Sequence, residues 1–507
     1  PQMTENVRYD GSLKASVILK DLAPFVPALS RFEEPLDLNL VFSGHGKHLD
    51  CPTLQLANHH GLMIAGEAAL SNWDAGMDMY IYGKLGNLIM TKEGINVLMT
   101  NLTGKVPPIL QRLDYIRFNG EAAGYLHDLT LTGLFYTGAG MVKTDVMMSI
   151  DEQSMSRTYS GSVASADLDL GKLLNQEKKF GKVDFNVELK GFNYKNRYPE
   201  SYIKGIISSF EYSQYQYENI MLDGVYKDGG FNGRLSMDDA NGSVQIDGNF
   251  NVAKTIPDFN LKASVKNLRP HDLHLSDKYE NASISLGLTA DFTGKSIDDM
   301  NGRISLDSLQ LNAPDERGCF LDNLTITAGQ VSGEKELRIN SSFMTAVIRG
   351  DYSYHTIPAS VVKTVQRYIP SLLTIKDNMP EPHNNFQFDI CLENTEVLSK
   401  LFQIPLELYL PASLKGYFND GEEKLHVEGH FPEFRYNGTR YDSGVLFCEN
   451  PSDRFKCSLR GGMLMKSGAM LNFSVEANAK NDHLETTINW GNNTDVTYGG
   501  KFAADTR

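Results

Sequence analysis

Residues 283–293 have the sequence Ser-Ile-Ser-Leu-Gly-Leu-Thr-Ala-Asp-Phe-Thr, in which every second residue from Ile284 to Phe292 is apolar. Successive side chains of a β-strand point to opposite sides of the sheet, so this pattern predicts a strand with one apolar face and one polar face. The same alternation recurs along the whole chain, for example in 183–189, 244–252, 259–265, 386–392, 425–431 and 471–477.

Short turn sequences separate these alternating stretches. Lys227-Asp-Gly-Gly230, Ala240-Asn-Gly242 and Asn437-Gly438 are typical of tight hairpins. Parallel strands need crossover connections, usually helices, and these are missing between most of the stretches. We therefore predict an all-β fold in which roughly 25–30 strands form a long antiparallel sheet.

The composition excludes several classes of protein. Of the 507 residues, 41% are hydrophobic. This share is enough to build a large apolar surface and excludes a disordered chain. The net charge of −15 argues against nucleic acid as a partner, because phosphates require a basic surface. The sequence contains no run of 18 apolar residues, so we expect no membrane-spanning helix.

The apolar faces of so many strands must be covered from water, either by another layer of the protein or by a bound molecule. A stack of separate sandwiches would bury them internally, but no linker rich in Gly, Ser or Pro separates such domains. The alternative is one sheet rolled lengthwise into an open β-groove, with a few short inter-repeat helices. We predict such helices over 357–375 and 106–116, either packed over the sheet or acting as a plug that moves.

Four segments share a layout of a strand, a short helical stretch and a second strand that closes on Gly. They begin at Leu13, Gly161, Leu261 and Phe386. This spacing predicts that residues 1–507 form one continuous β-groove array. The approximate repeat units are 1–157, 158–257, 258–385 and 386–507.

An open apolar groove is an interaction site by default, and lipid is the occupant we expect. Exposing acyl chains to water costs about 0.8 kcal/mol per CH₂, so a lipid carrier must offer an unbroken apolar path. The residues predicted to line the groove are Val183, Phe185, Val187, Leu189, Ile246, Phe250, Phe259, Leu261, Val265, Ile284, Leu286, Leu288, Phe292, Phe386, Phe388, Ile390, Val427, Phe431, Leu471, Phe473 and Val475.

The five cysteines include no CxxC pair. A hairpin around residues 450–453 would place Cys448 opposite Cys457 and Glu449 opposite Lys456. Two interpretations remain open for this pair. Either the cysteines form a disulfide in an oxidising compartment, or they are two small apolar residues on the face that also carries Leu446.

Catalytic and metal-binding motifs are missing from the sequence. His426-Val-Glu428-Gly-His430 places two histidines and a carboxylate on one side of a strand, a spacing that could seat a metal ion. The other side of the same strand is apolar, so we interpret the His/Glu side as solvated. We expect no catalytic residue, no metal site and no cofactor, and therefore no enzyme.

Diffuse motifs carry a resemblance to a known family. They are Ile116-Arg-Phe-Asn-Gly120, Gly140-Met-Val-Lys-Thr-Asp145, Tyr368-Ile-Pro370-Ser-Leu-Leu373, Ile404-Pro405 before Gly416, and Ile488-Asn-Trp490-Gly-Asn-Asn493. The chain resembles the TamB family of translocation and assembly modules, in the AsmA-like superfamily, and is most similar to its Bacteroidota members.

The resemblance implies a periplasmic groove that conducts phospholipid between the inner and outer membranes. It also implies an inner-membrane anchor helix and an outer-membrane barrel partner of the BamA type. We expect the anchor and most of the partner-binding C-terminal region to lie outside this chain, a fragment of a longer protein. Two alternatives remain: a structural or chaperone-like component for outer-membrane protein assembly, and a surface adhesin or glycan-binding chain of stacked sandwiches.

Overall fold

The structure, a computed structural model, is all-β. It describes residues 7–22, 30–151, 153–154, 156–193, 200–278, 280–314, 318–372, 383–492 and 498–506. The described residues form 30 strands assigned to an antiparallel sheet that is not closed into a barrel. The predicted fold class, an open antiparallel β-structure with a few short helices, is therefore confirmed.

The strand bounds, in chain order, are as follows. They are β1 Arg8–Ile18, β2 Pro35–His45, β3 His48–Ala57, β4 Leu62–Ser71, β5 Tyr80–Thr91, β6 Tyr115–Tyr125, β7 Asp128–Thr137, β8 Gly140–Ile150, β9 Arg157–Ala166, β10 Leu168–Asp169, β11 Phe180–Asn193, β12 Glu200–Tyr212, β13 Tyr215–Lys227, β14 Gly230–Asp239, β15 Gly242–Asn251, β16 Asp258–Leu268, β17 Ser283–Thr293, β18 Asn301–Asn312, β19 Cys319–Val331, β20 Glu334–Ser341, β21 Met344–Asp351, β22 Asn385–Leu392, β23 Leu406–Leu408, β24 Ala412–Asn419, β25 Lys424–Tyr436, β26 Thr439–Glu449, β27 Phe455–Leu464, β28 Met470–Lys480, β29 His483–Asn492 and β30 Gly499–Thr506. The α-helices are α1 Lys92–Thr103, α2 Pro108–Gln111, α3 Leu170–Leu174, α4 Ile357–Gln366 and α5 Glu396–Phe402.

Most strands pair with their neighbours in the sequence through tight turns. Between β13 and β14, Lys227 pairs with Gly230 across Asp228 and Gly229. Both turn residues have positive φ, 50° and 79°. A two-residue turn of this kind twists in the same sense as the strands it joins, which is why the Asp-Gly sequence predicted it.

The chain divides into two compact units. The N-terminal unit contains residues 1–253 together with 272–277, and the C-terminal unit contains 254–271 and 278–507. The N-terminal unit carries β1–β15 and the C-terminal unit carries β16–β30. The four predicted repeat units stay a prediction.

Two helix predictions are corrected in their bounds. The helix predicted over 106–116 is limited to α2, because Ile116 belongs to β6 and pairs with Met90. The longer α1 was not predicted; it begins after Thr91, whose side chain accepts a hydrogen bond from Gly94 N. The helix predicted over 357–375 begins as expected but ends at Gln366, ahead of Pro370, and residues 373–375 lie outside the described part.

Candidate functional site

A continuous row of apolar residues crosses the C-terminal unit. It takes one residue from each of β16–β22 and β24–β30, and each residue is paired in register with the next. At about 4.8 Å between neighbouring strands, the row is roughly 60 Å long. The members of this apolar row are Leu261, Ala290, Ile304, Ile326, Ile339, Ala346, Ile390, Leu414, Gly429, Leu446, Leu459, Val475, Ile488 and Phe502.

The next residues along these strands form a polar row on the opposite face. It runs in register from Lys262 through Thr289, Ser305, Thr325, Asn340 and Thr345 to Cys391, Ser413 and His430. The sheet of this unit therefore has one apolar face and one polar face, as the alternation predicted.

A corresponding row crosses the N-terminal unit through β1–β9 and β11–β15. Its members, paired in register, are Leu13, Leu40, Leu54, Gly66, Leu85, Gly120, Gly133, Thr144, Val163, Val187, Gly205, Leu222, Leu235 and Ile246. Its one polar member is Thr144, whose buried hydroxyl has no hydrogen-bond partner among the described residues.

All of the predicted lining residues lie on the apolar side of their strands. Val183, Phe185, Val187 and Leu189 are on β11; Ile246 and Phe250 on β15; Phe259, Leu261 and Val265 on β16; Ile284, Leu286, Leu288 and Phe292 on β17; Phe386, Phe388 and Ile390 on β22; Val427 and Phe431 on β25; Leu471, Phe473 and Val475 on β28. The prediction named no lining residue on β18–β21, β24, β26, β27, β29 or β30 of the C-terminal unit, nor on β1–β10 or β12–β14 of the N-terminal unit. On β18–β20, Ile304, Ile326 and Ile339 continue the row, and the same alternation there could have identified them.

Helices cover the apolar face of the C-terminal unit at the two ends of its strands. At one end, Ile357 and Val361 of α4 pack against a buried cluster that includes Phe386 and Phe418. At the other end, Val397 of α5 packs in a second cluster with Leu321. Since α4 and α5 lie at opposite strand ends, the middle of the apolar row runs between them.

Part of this apolar row is open to solvent. Leu459 is 39% exposed and Phe502 is 53% exposed. Trp490, on the same side of β29 as Ile488, is 41% exposed. Large apolar side chains are seldom left accessible in one continuous strip unless another molecule covers them.

Glycines let aromatic rings lie flat on the apolar face. A Cβ at Gly416 would lie 2.1 Å from the carbonyl oxygen of His426 and 2.9 Å from the ring of Phe388. In the N-terminal unit, a Cβ at Gly133 would lie 2.5 Å from the ring of Phe118. Any larger residue at these positions would push the ring away or separate the strands. The glycines therefore leave room for the rings to pack against the sheet.

A buried polar network attaches α4 to the strand ends. Asn384, fully buried just before β22, donates from Nδ2 to Ser360 Oγ at 2.6 Å and to Thr356 Oγ1 at 3.0 Å. Its Oδ1 accepts from Ser353 N at 2.9 Å, and its backbone N–H donates to Asp420 Oδ2 at 2.8 Å. Separating buried polar groups that are hydrogen-bonded to one another costs free energy, so this network holds the N-terminal part of α4 in place. It therefore favours a helix packed over the sheet rather than a plug that moves.

Cys448 and Cys457 lie opposite each other on β26 and β27, with Cα atoms 4.1 Å apart, and are joined as a disulfide. Glu449 pairs with Lys456, so the register predicted from the sequence is the one observed. Cys51, Cys319 and Cys391 are free.

The described residues contain no group of three or more His, Cys, Asp or Glu side chains placed to hold a metal ion. His426 Nε2 lies 3.1 Å from Glu428 Oε1 on the polar face. His430, on the same strand, is exposed. In the described part of the chain, no helix combines the length and hydropathy needed to cross a bilayer.

A comparison of the chain with protein-family models, curated proteins and solved structures finds no match.

Proposed function

We propose that the apolar face binds the acyl chains of phospholipids and that the protein carries phospholipid between two membranes. The observation that carries this proposal is the unbroken apolar row of the C-terminal unit, which is open to solvent at Leu459 and Phe502. Charged side chains are missing from the row over its whole length of roughly 60 Å. In this proposal the protein is a lipid carrier and not an enzyme.

The contacts along part of this row are nearly uniform. Leu446, Leu459 and Val475 offer aliphatic side chains of similar size at successive positions along the row. A lipid tail moved by one strand spacing therefore meets almost the same surface, and each buried CH₂ gains about 0.8 kcal/mol wherever it lies. Such a surface favours movement along the face over tight binding at one point.

We also propose that the carrier works in the periplasm. Disulfides persist in oxidising compartments, and the pair Cys448–Cys457 supports such a location. The resemblance of the sequence motifs to the TamB family supports the same location. It further supports an inner-membrane anchor and a BamA-type barrel of the outer membrane as partners.

Site-specific photo-crosslinking tests the proposal. A photoreactive amino acid is placed at Leu288 or Phe388 on the apolar face, and at Lys262 or Ser285 on the polar face as matched controls. In cells, we expect phospholipid adducts from the apolar positions and few from the polar positions. Equal labelling of both sets, or no lipid adduct at all, would refute lipid carriage. Adducts with polypeptide instead of lipid would support the chaperone-like function.

A further inference from the structure

The polar face of the C-terminal unit contains a cleft that lipid carriage does not use. Two concavities with volumes of about 800 and 820 Å³ lie over β20–β22, β24 and β25. They share Arg349, Gln387 and Tyr417, so they form one continuous depression, which we call the polar cleft. Five neighbouring strands give it a width of roughly 20 Å, more than a single small ligand requires.

Six of the ten charged residues that line the polar cleft form ion pairs, either with one another or with the neighbouring Glu336. Glu336, whose side chain is 8% exposed, accepts from Arg338 at 2.9 Å and from Arg349 at 2.5 Å. Lys415 Nζ lies 3.0 Å from Glu428 Oε2. A charged ligand would have to compete with these pairs, so the electrostatics of the cleft favour an uncharged one.

An aromatic ring lies in the polar cleft with one face open. Tyr417 stacks on His426 with ring centroids 5.4 Å apart and an angle of 16° between the planes. The ring of Tyr417 is therefore covered on one side, yet the residue remains 47% exposed. The part of Tyr417 that His426 does not cover is open to solvent and can receive a flat apolar surface.

Neutral hydrogen-bonding groups lie beside this ring. Gln387 is paired in register with Tyr417 on the next strand. Neither the Gln387 amide nor the Tyr417 hydroxyl has a hydrogen-bond partner among the described residues. An amide donates and accepts through separate atoms, and a hydroxyl does both through one, which suits ligands that carry many hydroxyl groups.

We propose that the polar cleft binds an uncharged glycan chain. The C–H face of a sugar ring packs on the open side of Tyr417, while its hydroxyl and N-acetyl groups bond to Gln387 and to the outer atoms of the paired charges. The width of the cleft accommodates several sugar units across the strands. Glycan binding uses the opposite face from lipid binding and stands independently of it.

Isothermal titration with hexasaccharides tests this proposal on the whole chain. The uncharged probes are the hexamers of N-acetylglucosamine, β-1,4-glucose and α-1,4-glucose; the charged probes are hexagalacturonate and the glucosamine hexamer. We expect at least one uncharged hexamer to bind more tightly than both charged ones. Tyr417→Ala should weaken that binding about tenfold or more.

Gln387→Ala, a change at an exposed position that leaves the fold intact, should weaken binding as well. Tyr436→Ala is the matched control, because Tyr436 is 46% exposed on β25 but lies outside the cleft. Failure of all three uncharged hexamers to bind would overturn the proposal. So would equal binding of the charged hexamers, or wild-type affinity in both Tyr417→Ala and Gln387→Ala.

Discussion

Asn384 Nδ2 donates a hydrogen bond to Ser360 Oγ at 2.6 Å, and the two residues are 0% and 1% exposed. The bond joins the start of β22 to α4, 24 residues earlier in the chain. Because both groups are buried, neither can find water when the other is removed. The position of α4 over the apolar face therefore depends on a few polar atoms.

Asn384→Ala should destabilise the C-terminal unit by about 2–3 kcal/mol, because it leaves several buried groups without partners. Urea unfolding followed by circular dichroism measures the change. Asn385→Ala is the control, since Asn385 is the next residue but is exposed. Equal stability of the two variants would show that the network does not hold α4.

The stability contributed by Glu336 should depend on pH. The hydrogen bond from Arg349, together with that from Arg338, lowers the pKa of Glu336 below its ordinary value. A carboxyl whose pKa is lowered by folding stabilises the protein above the unfolded pKa of about 4.3, and this contribution is lost as the pH falls through the folded pKa.

At pH 7, Glu336→Gln should therefore be less stable than the wild type by about 1–2 kcal/mol. Near pH 3 the difference should shrink. Glu334→Gln, at an exposed position on the same strand, is the control and should change little at either pH. Unfolding midpoints in urea at the two pH values provide the measurement, and a difference that stays constant with pH would contradict the role of the ion pairs.

A charge in the lipid path should impair lipid binding. Leu288 lies in register between Ala263 and Leu306 on the apolar face. Placing a charged aspartate in contact with an acyl chain costs about 2.5–3.5 kcal/mol of binding free energy. Leu288→Asp should thus reduce the affinity for a fluorescent phosphatidylethanolamine more than about tenfold. Thr289→Asp, on the polar face beside Lys262, should bind normally; the same loss in both variants would argue against the apolar face as the site.

Thiol counting tests the cysteine pairing. In denaturant without a reductant, an alkylating reagent should modify three cysteines, and after reduction it should modify all five. In the folded protein Cys319 should react most slowly, because it is buried and burial raises its pKa, so little thiolate forms. Intact-mass spectrometry gives the counts. Five additions without reductant would mean that Cys448 and Cys457 are not bonded.

The regular part of the fold could be predicted because it repeats a local rule. Alternation gives the two faces of a strand, and pairs such as Asp228-Gly229 give the turns, so strands, hairpins and faces follow from near neighbours in the sequence. The helix α1 was missed because Gly94 and Asn96 weaken its helical pattern, although Thr91 and Gly104 at its ends are typical capping residues.

The polar contacts could not be predicted, because they join distant parts of the chain. Glu336 belongs to Glu-Lys-Glu-Leu-Arg, a stretch that is typical of a solvated surface. It becomes buried only when β21 brings Arg349 alongside it. Asn384 likewise acquires its role only when Asp420 and Ser360, from either side in the sequence, meet around it.

Pairing between consecutive strands has a consequence for how such a protein can change length. A hairpin inserted between two strands, such as one resembling β27–β28, brings the chain back to the same end of the strands and in the same direction, displaced by two strand spacings along the sheet. The apolar and polar faces of all later strands then keep their sides, provided that the inserted strands keep the alternation. Each duplication would lengthen the sheet by two strand spacings, about 10 Å, without redesign of the remainder. Sheets of this kind can therefore be fitted to the distance they must span by adding or losing whole hairpins.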